Sequence, residues 1–398
     1  MNPEVADNLL DFLLSDQKIH FLRGIAGTGK STAICEVITK LLPKAIETQQ
    51  LLLGKSLYSP SEPVVVAATT HVAVQSLKQH PDFPVHLFKS YLSSPKTVHY
   101  TFNIPISAGK LRLNTPRFYE SLVIIDECTR LNKKEREHIE ACLHETAKVL
   151  YVGDPAQLCQ ITGEYADWES IPSTQLTQIH RTASPHLRDL YQDLSKAAAS
   201  HSKITIQTKA GIVDYFEPEQ IEQFMIQNYE STHLVLAAFT HRKLHQLNEH
   251  MRKHFSLVPG KYLPTQKHYF SVLNGKPKAS LDTFTISPPA HASIDGEYQC
   301  IYSDGASAQI PIFHTISEAP QDFYANRDES FQEVNIVLPT IFSTIHRLQG
   351  LSIDTVVIDL TDISKSPDAL RMLYVAASRA TARIIFFGKL NPKFGAIV

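Results

Sequence analysis

The sequence predicts an α/β protein built on parallel sheets, and three observations carry that expectation. Its strands are continuous apolar runs rather than alternating ones, as in Val64-Val65-Val66-Ala67-Ala68, Leu122-Val123-Ile124-Ile125 and Val149-Leu150-Tyr151-Val152, which is how strands buried on both faces read. Helical stretches separate the runs, as a wound sheet requires. The strand Ile19–Leu22 leads into a glycine-rich turn and then a helix, expected over Ser31–Leu42 and ended by Pro43.

Two such α/β sets follow one another. The first is expected over residues 1–165. The second, over 166–398, begins near Trp168 and carries strands Leu234–Phe239, Thr355–Leu360 and Arg383–Phe387. Thr240 is placed to cap a helix from His241 to Phe255. Each set is interrupted. Residues 79–119 hold several prolines and two β-like runs, Thr97–Ile104 and Leu111–Leu113, which suggests a small inserted hairpin. Residues of about 256–338 have β character, including a hairpin made of Tyr298–Tyr302, the turn Asp304-Gly305 and Ala306–Ile312.

Composition narrows the field. The 398 residues, 43% of them hydrophobic, suffice for two or three cores. Lys and Arg number 38 against 40 Asp and Glu, so the total charge does not signal nucleic acid, and any such binding needs a local basic groove. No apolar run approaches the roughly 18 residues of a membrane span. The start, MNPEVADNLLDFLLSDQ, is acidic and lacks the basic region of a secretion signal, so a cytoplasmic location is expected, in the host cytoplasm if the chain is phage-encoded. Five cysteines (Cys35, Cys128, Cys142, Cys159 and Cys300) show no CxxC spacing and read as reduced core thiols.

The chemistry lies at the strand ends. Gly24-Ile25-Ala26-Gly27-Thr28-Gly29-Lys30-Ser31 fits GxxxxGK[ST] at every fixed position, after a strand and at the start of a helix. Its glycines free backbone N–H groups for phosphates, and the helix N-terminus adds positive potential. Lys30 would pair with β- and γ-phosphates, and the Ser31 hydroxyl would bind Mg²⁺. A glycine turn that binds nothing is the bland alternative. Asp126 and Glu127 end an apolar strand, suited to hold Mg²⁺ and to orient or deprotonate a water. Alone, such a pair is usually only a strand end. Gly153-Asp154-Pro155-Ala156-Gln157-Leu158 follows another buried strand, where Gln157 could sense a γ-phosphate and an ordinary Asp-Pro turn is equally admissible.

Taken in order, GIAGTGKS, DECT, GDPAQL, STIHRLQGLSID and LYVAASRA resemble motifs of the superfamily 1 helicases over nearly the whole chain. The branch most resembled is that of RecD and the phage helicase Dda, to which Leu236–His241 with Leu247-Asn248 is also similar. The resemblance implies two RecA-like lobes, with the β-rich stretch as the branch's small SH3-like barrel. It implies an ATP- and Mg²⁺-dependent helicase or translocase on single-stranded DNA and duplex junctions, moving 5′ to 3′. A monomer, with replication or recombination proteins as possible partners and no membrane, goes with it.

Residue by residue, it implies that Arg181, in Gln178-Ile179-His180-Arg181, and Arg379 reach the γ-phosphate from the second lobe. Thr69, Thr70 and His71 would contact the nucleic-acid backbone. Thr344 and His346, with Gln349-Gly350, would contact the strand or relay to the nucleotide. Hydroxyl and imidazole donors suit phosphate contacts that position without reading sequence. For any one of them, strand-end capping is the plain alternative. One departure concerns the family's adenine-reading Gln: Gln17 lies too near the glycine loop, and Asn2 lies nearer the right distance. The insertion Thr97–Leu113 suits either a strand-separating pin or a structural hairpin. Trp168 could stack on a base or pack in a core. The pairs His241–His245 and His250–His254 read as a solvated helix face rather than a metal site. RNA as the track, or a nucleotide switch or small-molecule kinase without motor activity, are the rival readings.

Overall fold

The computed structural model describes residues 1–54, 64–88, 91–104, 118, 121–158, 164–257, 268–270, 283–287, 297–302, 307–311 and 337–398. They divide into two compact units. One comprises Met1–Ala183 and Tyr191–Ser200, the other Ser184–Leu190 and His201–Val398.

The first unit begins with α1 (Pro3–Leu14), capped by the Asn2 side chain, which accepts from the Glu4 N–H. It continues through β1 (Ile19–Gly24), α2 (Lys30–Glu36), α3 (Leu42–Leu53), β2 (Val64–Ala68), α4 (His71–Lys78), β3 (Lys96–Thr97), α5 (Val98–Phe102), β4 (Leu122–Asp126), α6 (Lys133–Ala141), β5 (Lys148–Gly153) and β6 (Ser173–Leu176). The six strands form one sheet in the order β3-β2-β4-β5-β1-β6, parallel throughout. Side chains of each strand alternate between two apolar layers. Leu122 and Ile124 join a core with α1, α2 and α3, while Val123 and Ile125 join Phe21, Tyr151 and Trp168 on the other face. Two buried faces explain the unbroken apolar runs.

Three expectations need correction here. The helix after the glycine loop does not stop at Pro43. It passes through a π-helical turn, Val37–Leu41, into α3, with Pro43 in the first turn of α3. The wider π turn makes room for a ring that would otherwise strike the carbonyl four residues back. The β-like run Thr97–Ile104 is mostly helix α5, capped by the Thr97 hydroxyl and closed by Asn103 at φ 52°. Leu111–Leu113, the other half of the expected hairpin, lies outside the described residues. Finally, the expected boundary at 165/166 falls too early, because β6 pairs with β1 and completes the first sheet. Trp168 therefore packs in the first unit, with its ring 5.4 Å from Phe21 and 5.1 Å from Tyr151.

Helix α7 (Pro185–Ser200) contributes to both units. The second unit then runs through β7 (Ile204–Ile206), β8 (Val213–Phe216), α8 (Pro218–Gln227), β9 (Leu234–Ala238) and α9 (His241–His254). Five antiparallel strands follow, β10 (His268–Phe270), β11 (Thr283–Ser287), β12 (Glu297–Tyr302), β13 (Ser307–Pro311) and β14 (Val337–Pro339). Their order is β13-β12-β11-β10-β14. β12 and β13 pair as the expected hairpin, Cys300 opposite Ala308. The chain closes with β15 (Phe342–Thr344), α10 (Ile345–Leu348), β16 (Ile353–Asp359), α11 (Leu360–Ile363), α12 (Ala369–Ala377), β17 (Ala380–Phe387) and β18 (Gly395–Ile397). A second parallel sheet has the order β15-β9-β16-β17-β8, and β18 pairs with β7.

Candidate active site

In a parallel sheet every strand delivers its carboxyl end to the same edge, and ligands bind there. On that edge the first unit gathers the glycine loop after β1, Thr69 after β2, Asp126 and Glu127 from β4, Asp154 after β5 and the segment Gln178–Arg181 after β6.

The loop's shape follows from its sequence. Gly27 and Gly29 adopt φ of 82° and 83°, a region that favours glycine. A Cβ on Gly27 would lie 2.6 Å from the Cβ of Arg181. The Thr28 hydroxyl donates to the Ile25 carbonyl at 2.8 Å. Lys30, the first residue of α2, folds its ammonium onto the Gly24 and Ile25 carbonyls at 2.8 and 3.3 Å. Ser31 follows it in the first turn of α2.

The two carboxylates differ. Asp126 is buried and accepts the Glu127 N–H at 2.9 Å. Burial, then the neighbouring Glu127 charge, push its pKa up to about 7, and Lys30 opposes them. Glu127 has a left-handed backbone, φ 53° and ψ 36°. Its Oε2 is buried with no hydrogen-bond partner in the structure. A buried carboxylate next to a half-buried one, with one oxygen unspent, is a donor set suited to a divalent cation and a polarised water. With Ser31 and the loop N–H groups, these residues fit a nucleoside triphosphate and Mg²⁺.

Gln157 is buried, and its amide donates to Asp154 Oδ2 at 3.1 Å, while Asp154 Oδ1 accepts the Ala156 N–H. Asp154, which sequence reasoning passed over, thus organises this turn. Arg181 requires a further correction. It was expected from the second lobe, but it belongs to the first unit, where the adjacent His180 N–H donates to the Gly27 carbonyl at 2.8 Å. Strand β6 carries it there.

Of the residues expected at nucleic acid, Thr69 donates its hydroxyl to the Glu127 carbonyl at 3.2 Å. The Thr70 hydroxyl caps α4 by accepting from Ala73, and His71 is exposed. In the second unit, Thr344 is buried at the cap position of α10 without a side-chain capping bond. The His346 ring lies 6.4 Å from Phe239. Gln349 is buried, and Gly350 takes φ 87°. Arg379 is 2% exposed, and its guanidinium donates to the Val375 carbonyl and the Ser378 hydroxyl. One cluster has no local signature in the residues: Asp362, buried, accepts the Thr240 N–H at 2.8 Å and pairs with Lys365, and Asp359 lies 3.5 Å from Lys243.

Of the α9 histidines, His250 and His254 are exposed as expected, whereas His241 is half-buried and His245 departs from the solvated face. His245 is buried, and that burial and His241 lower its pKa to about 4. His250 pairs with Glu222 at 2.8 Å. Among the described residues no group of three or more His, Cys, Asp or Glu is placed to hold a metal. Cys35, Cys128 and Cys142 are buried free thiols, while Cys159 and the Cys300 side chain lie outside the described residues. Gln17 donates to the Ile19 carbonyl and to His20. No described helix is long and apolar enough to cross a membrane.

Residues 1–217, more than half of the chain, match the family model described as AAA domain. The chain belongs to the AAA domain family. Residues 340–386 match a second model, the UvrD-like helicase C-terminal domain. The fold resembles that of Pif1 helicase from Bacteroides in complex with ADP-AlF3 and single-stranded DNA, with a TM-score of 0.55 at 15% identity over 99% of this chain and 94% of that one. It also resembles a Pif1 helicase solved for unwinding at forked duplex DNA (TM-score 0.53, 14% identity, 99% and 93% covered). Pif1 helicase from Candida albicans matches at 0.50 and 14% identity, covering 99% and 96%. No curated protein sequence matches the chain significantly. The chain thus joins a nucleotide-binding AAA domain to a segment like the UvrD-like helicase C-terminal domain, on a fold similar to that of the Pif1 helicases.

Proposed function

We propose that this AAA domain family member is an ATP- and Mg²⁺-dependent DNA helicase that moves 5′ to 3′ on single-stranded DNA and opens duplex junctions. The observation that carries the reading is the convergence of Lys30, Asp126, Glu127 and the Arg181 segment on one sheet edge, with the Glu127 Oε2 buried and unspent. The Pif1 structures hold single-stranded DNA, an ADP-AlF3 complex or a fork, which supports that track and that nucleotide for this chain.

Ser31 and Asp126 would hold Mg²⁺, which supplies charge neutralisation on the β- and γ-phosphates. Lys30 leaves its loop carbonyls to pair with those phosphates. Glu127 accepts a proton as water oxygen bonds to the γ-phosphorus and the bond to the ADP oxygen breaks. Arg181, held over Gly27, stabilises the charge that develops, and Gln157 orients the γ-phosphate or its water. Thr70 and His71 in the first unit, and separately Thr344 and His346 in the second, are read as contacts to the strand. The antiparallel β10–β14 sheet is read as the small barrel of this branch.

Partial duplexes with either a 5′ or a 3′ single-stranded tail test the proposal. Unwinding is expected on the 5′-tailed substrate. Activity only on the 3′-tailed one would overturn the polarity, and a preference for RNA tails would overturn the track. Affinity for unrelated single strands should fall steeply with added salt and vary little with sequence.

A further inference from the structure

We infer that the Thr69 hydroxyl is a positioning group for the catalytic carboxylate of Glu127, and that it serves the nucleotide site rather than the nucleic-acid track. This rests on the reading of Glu127 as the residue that activates water. Glu127 sits in a left-handed conformation, φ 53° and ψ 36°, which a non-glycine residue adopts only when its surroundings hold it there. Three bonds do so. The Glu127 N–H donates to Asp126 Oδ1 at 2.9 Å. The Glu127 carbonyl accepts the Arg130 N–H at 3.2 Å and the Thr69 hydroxyl at 3.2 Å. Thr69 is itself anchored, because its N–H donates to the Asp126 carbonyl at 3.3 Å. The end of β2 is thus tied to the turn that follows β4, by one backbone and one side-chain bond.

A hydroxyl has a single proton. Given to the Glu127 carbonyl, it is not given to a strand phosphate, and the Thr69 oxygen can then only accept. A phosphate only accepts as well, so the two roles exclude each other. The neighbouring Thr70 hydroxyl likewise accepts from Ala73, but its proton is unassigned, and His71 is exposed. The backbone contact of this segment therefore falls to Thr70 and His71, and Thr69 sets the direction of the Glu127 side chain. Without the Thr69 bond, one of the restraints on a strained turn is lost and the carboxylate leaves the line of attack, a geometric error to which rates are sensitive.

The experiment compares Thr69→Val, Thr69→Ser and wild type in the full chain. Steady-state ATP hydrolysis is measured at saturating single-stranded DNA, together with single-strand affinity without nucleotide and thermal unfolding. Thr69→Val should lower kcat roughly tenfold, leave the KM for ATP within about twofold, and bind single strands as wild type does. Thr69→Ser, which keeps the hydroxyl, should recover most of the rate. Unchanged kcat with weakened strand binding in Thr69→Val would overturn the inference, since that is the signature of a phosphate contact. A loss in Thr69→Ser with near wild-type kcat in Thr69→Val would also overturn it, because methyl packing, which valine keeps and serine lacks, would then be the cause. If Thr69→Val does not fold, Thr69→Ser alone decides: near wild-type kcat supports the bond, and a tenfold loss contradicts it. A wild-type enzyme that hydrolyses ATP but ignores single strands would count against the motor reading, and the same kcat comparison would then be made on the basal rate.

Discussion

His180 donates its backbone N–H to the Gly27 carbonyl at 2.8 Å, so the segment that carries Arg181 is fastened to the phosphate loop within one unit. A Cβ on Gly27 would come within 2.6 Å of the Arg181 Cβ, and Gly27 holds φ 82°. Gly27→Ala is therefore strained twice, by backbone and by contact. It should weaken nucleotide binding at least tenfold, whereas Arg181→Ala should keep binding within about threefold and lower turnover by an order of magnitude or more. Titration with a fluorescent nucleotide, followed by steady-state hydrolysis, separates the two effects.

Trp168 is the only tryptophan, 7% exposed, with the Arg136 guanidinium 5.3 Å from its ring. Its fluorescence should be blue-shifted, weakly quenched by acrylamide and unmoved by single-stranded DNA. Trp168→Ala should destabilise the first unit by about 3–5 kcal/mol, through the cavity it leaves, as read from its thermal transition. Quenching on addition of DNA would restore the base-stacking role.

Two buried histidines set a pH dependence. His20 accepts from the Gln17 amide at Nδ1 and meets the Thr174 hydroxyl at Nε2. Burial lowers its pKa to about 4, and His245 is likewise lowered to about 4. Because the folded state holds these rings neutral, the unfolded chain binds more protons between pH 6.5 and 4. Stability is thus complete above about pH 6.5 and is lost as pH falls through that window, by about 2 kcal/mol per histidine at pH 5. His20→Gln should flatten this loss in the first unit, measured as the change in Tm between pH 7 and pH 5. An unaltered pH slope would show that His20 is not held neutral.

Much of this was legible in the residues, for physical reasons that also mark where legibility stops. The glycine loop and the Asp126-Glu127 pair stand out because glycine spacing and a strand-end carboxylate pair are chemically rare together. Strand β6, Ser173–Leu176, was not legible. As an edge strand it buries only alternate residues, Thr174 and Leu176, and its polar composition reads as loop. The polar edge strand hides the true extent of the first sheet, and with it the unit to which Arg181 belongs. Helix α5 looks like a strand in the sequence because Val98, Tyr100 and Phe102 favour strands intrinsically. The Thr97 cap and the burial of Val98 and Phe102 outweigh that preference. The Asp362–Thr240 bond joins residues far apart in the chain, which no local pattern reveals.

In the proposed function Glu127 drives a hydrolysis coupled to single-stranded DNA. The most direct measurement is the ATP turnover of wild type and Glu127→Gln, each with and without single-stranded DNA, alongside nucleotide affinity. Wild type should be stimulated by the strand at least several-fold, and Glu127→Gln should bind nucleotide normally while losing roughly 10²-fold or more of turnover in both conditions. Near-normal turnover in Glu127→Gln, or a wild-type rate indifferent to single-stranded DNA, would contradict it.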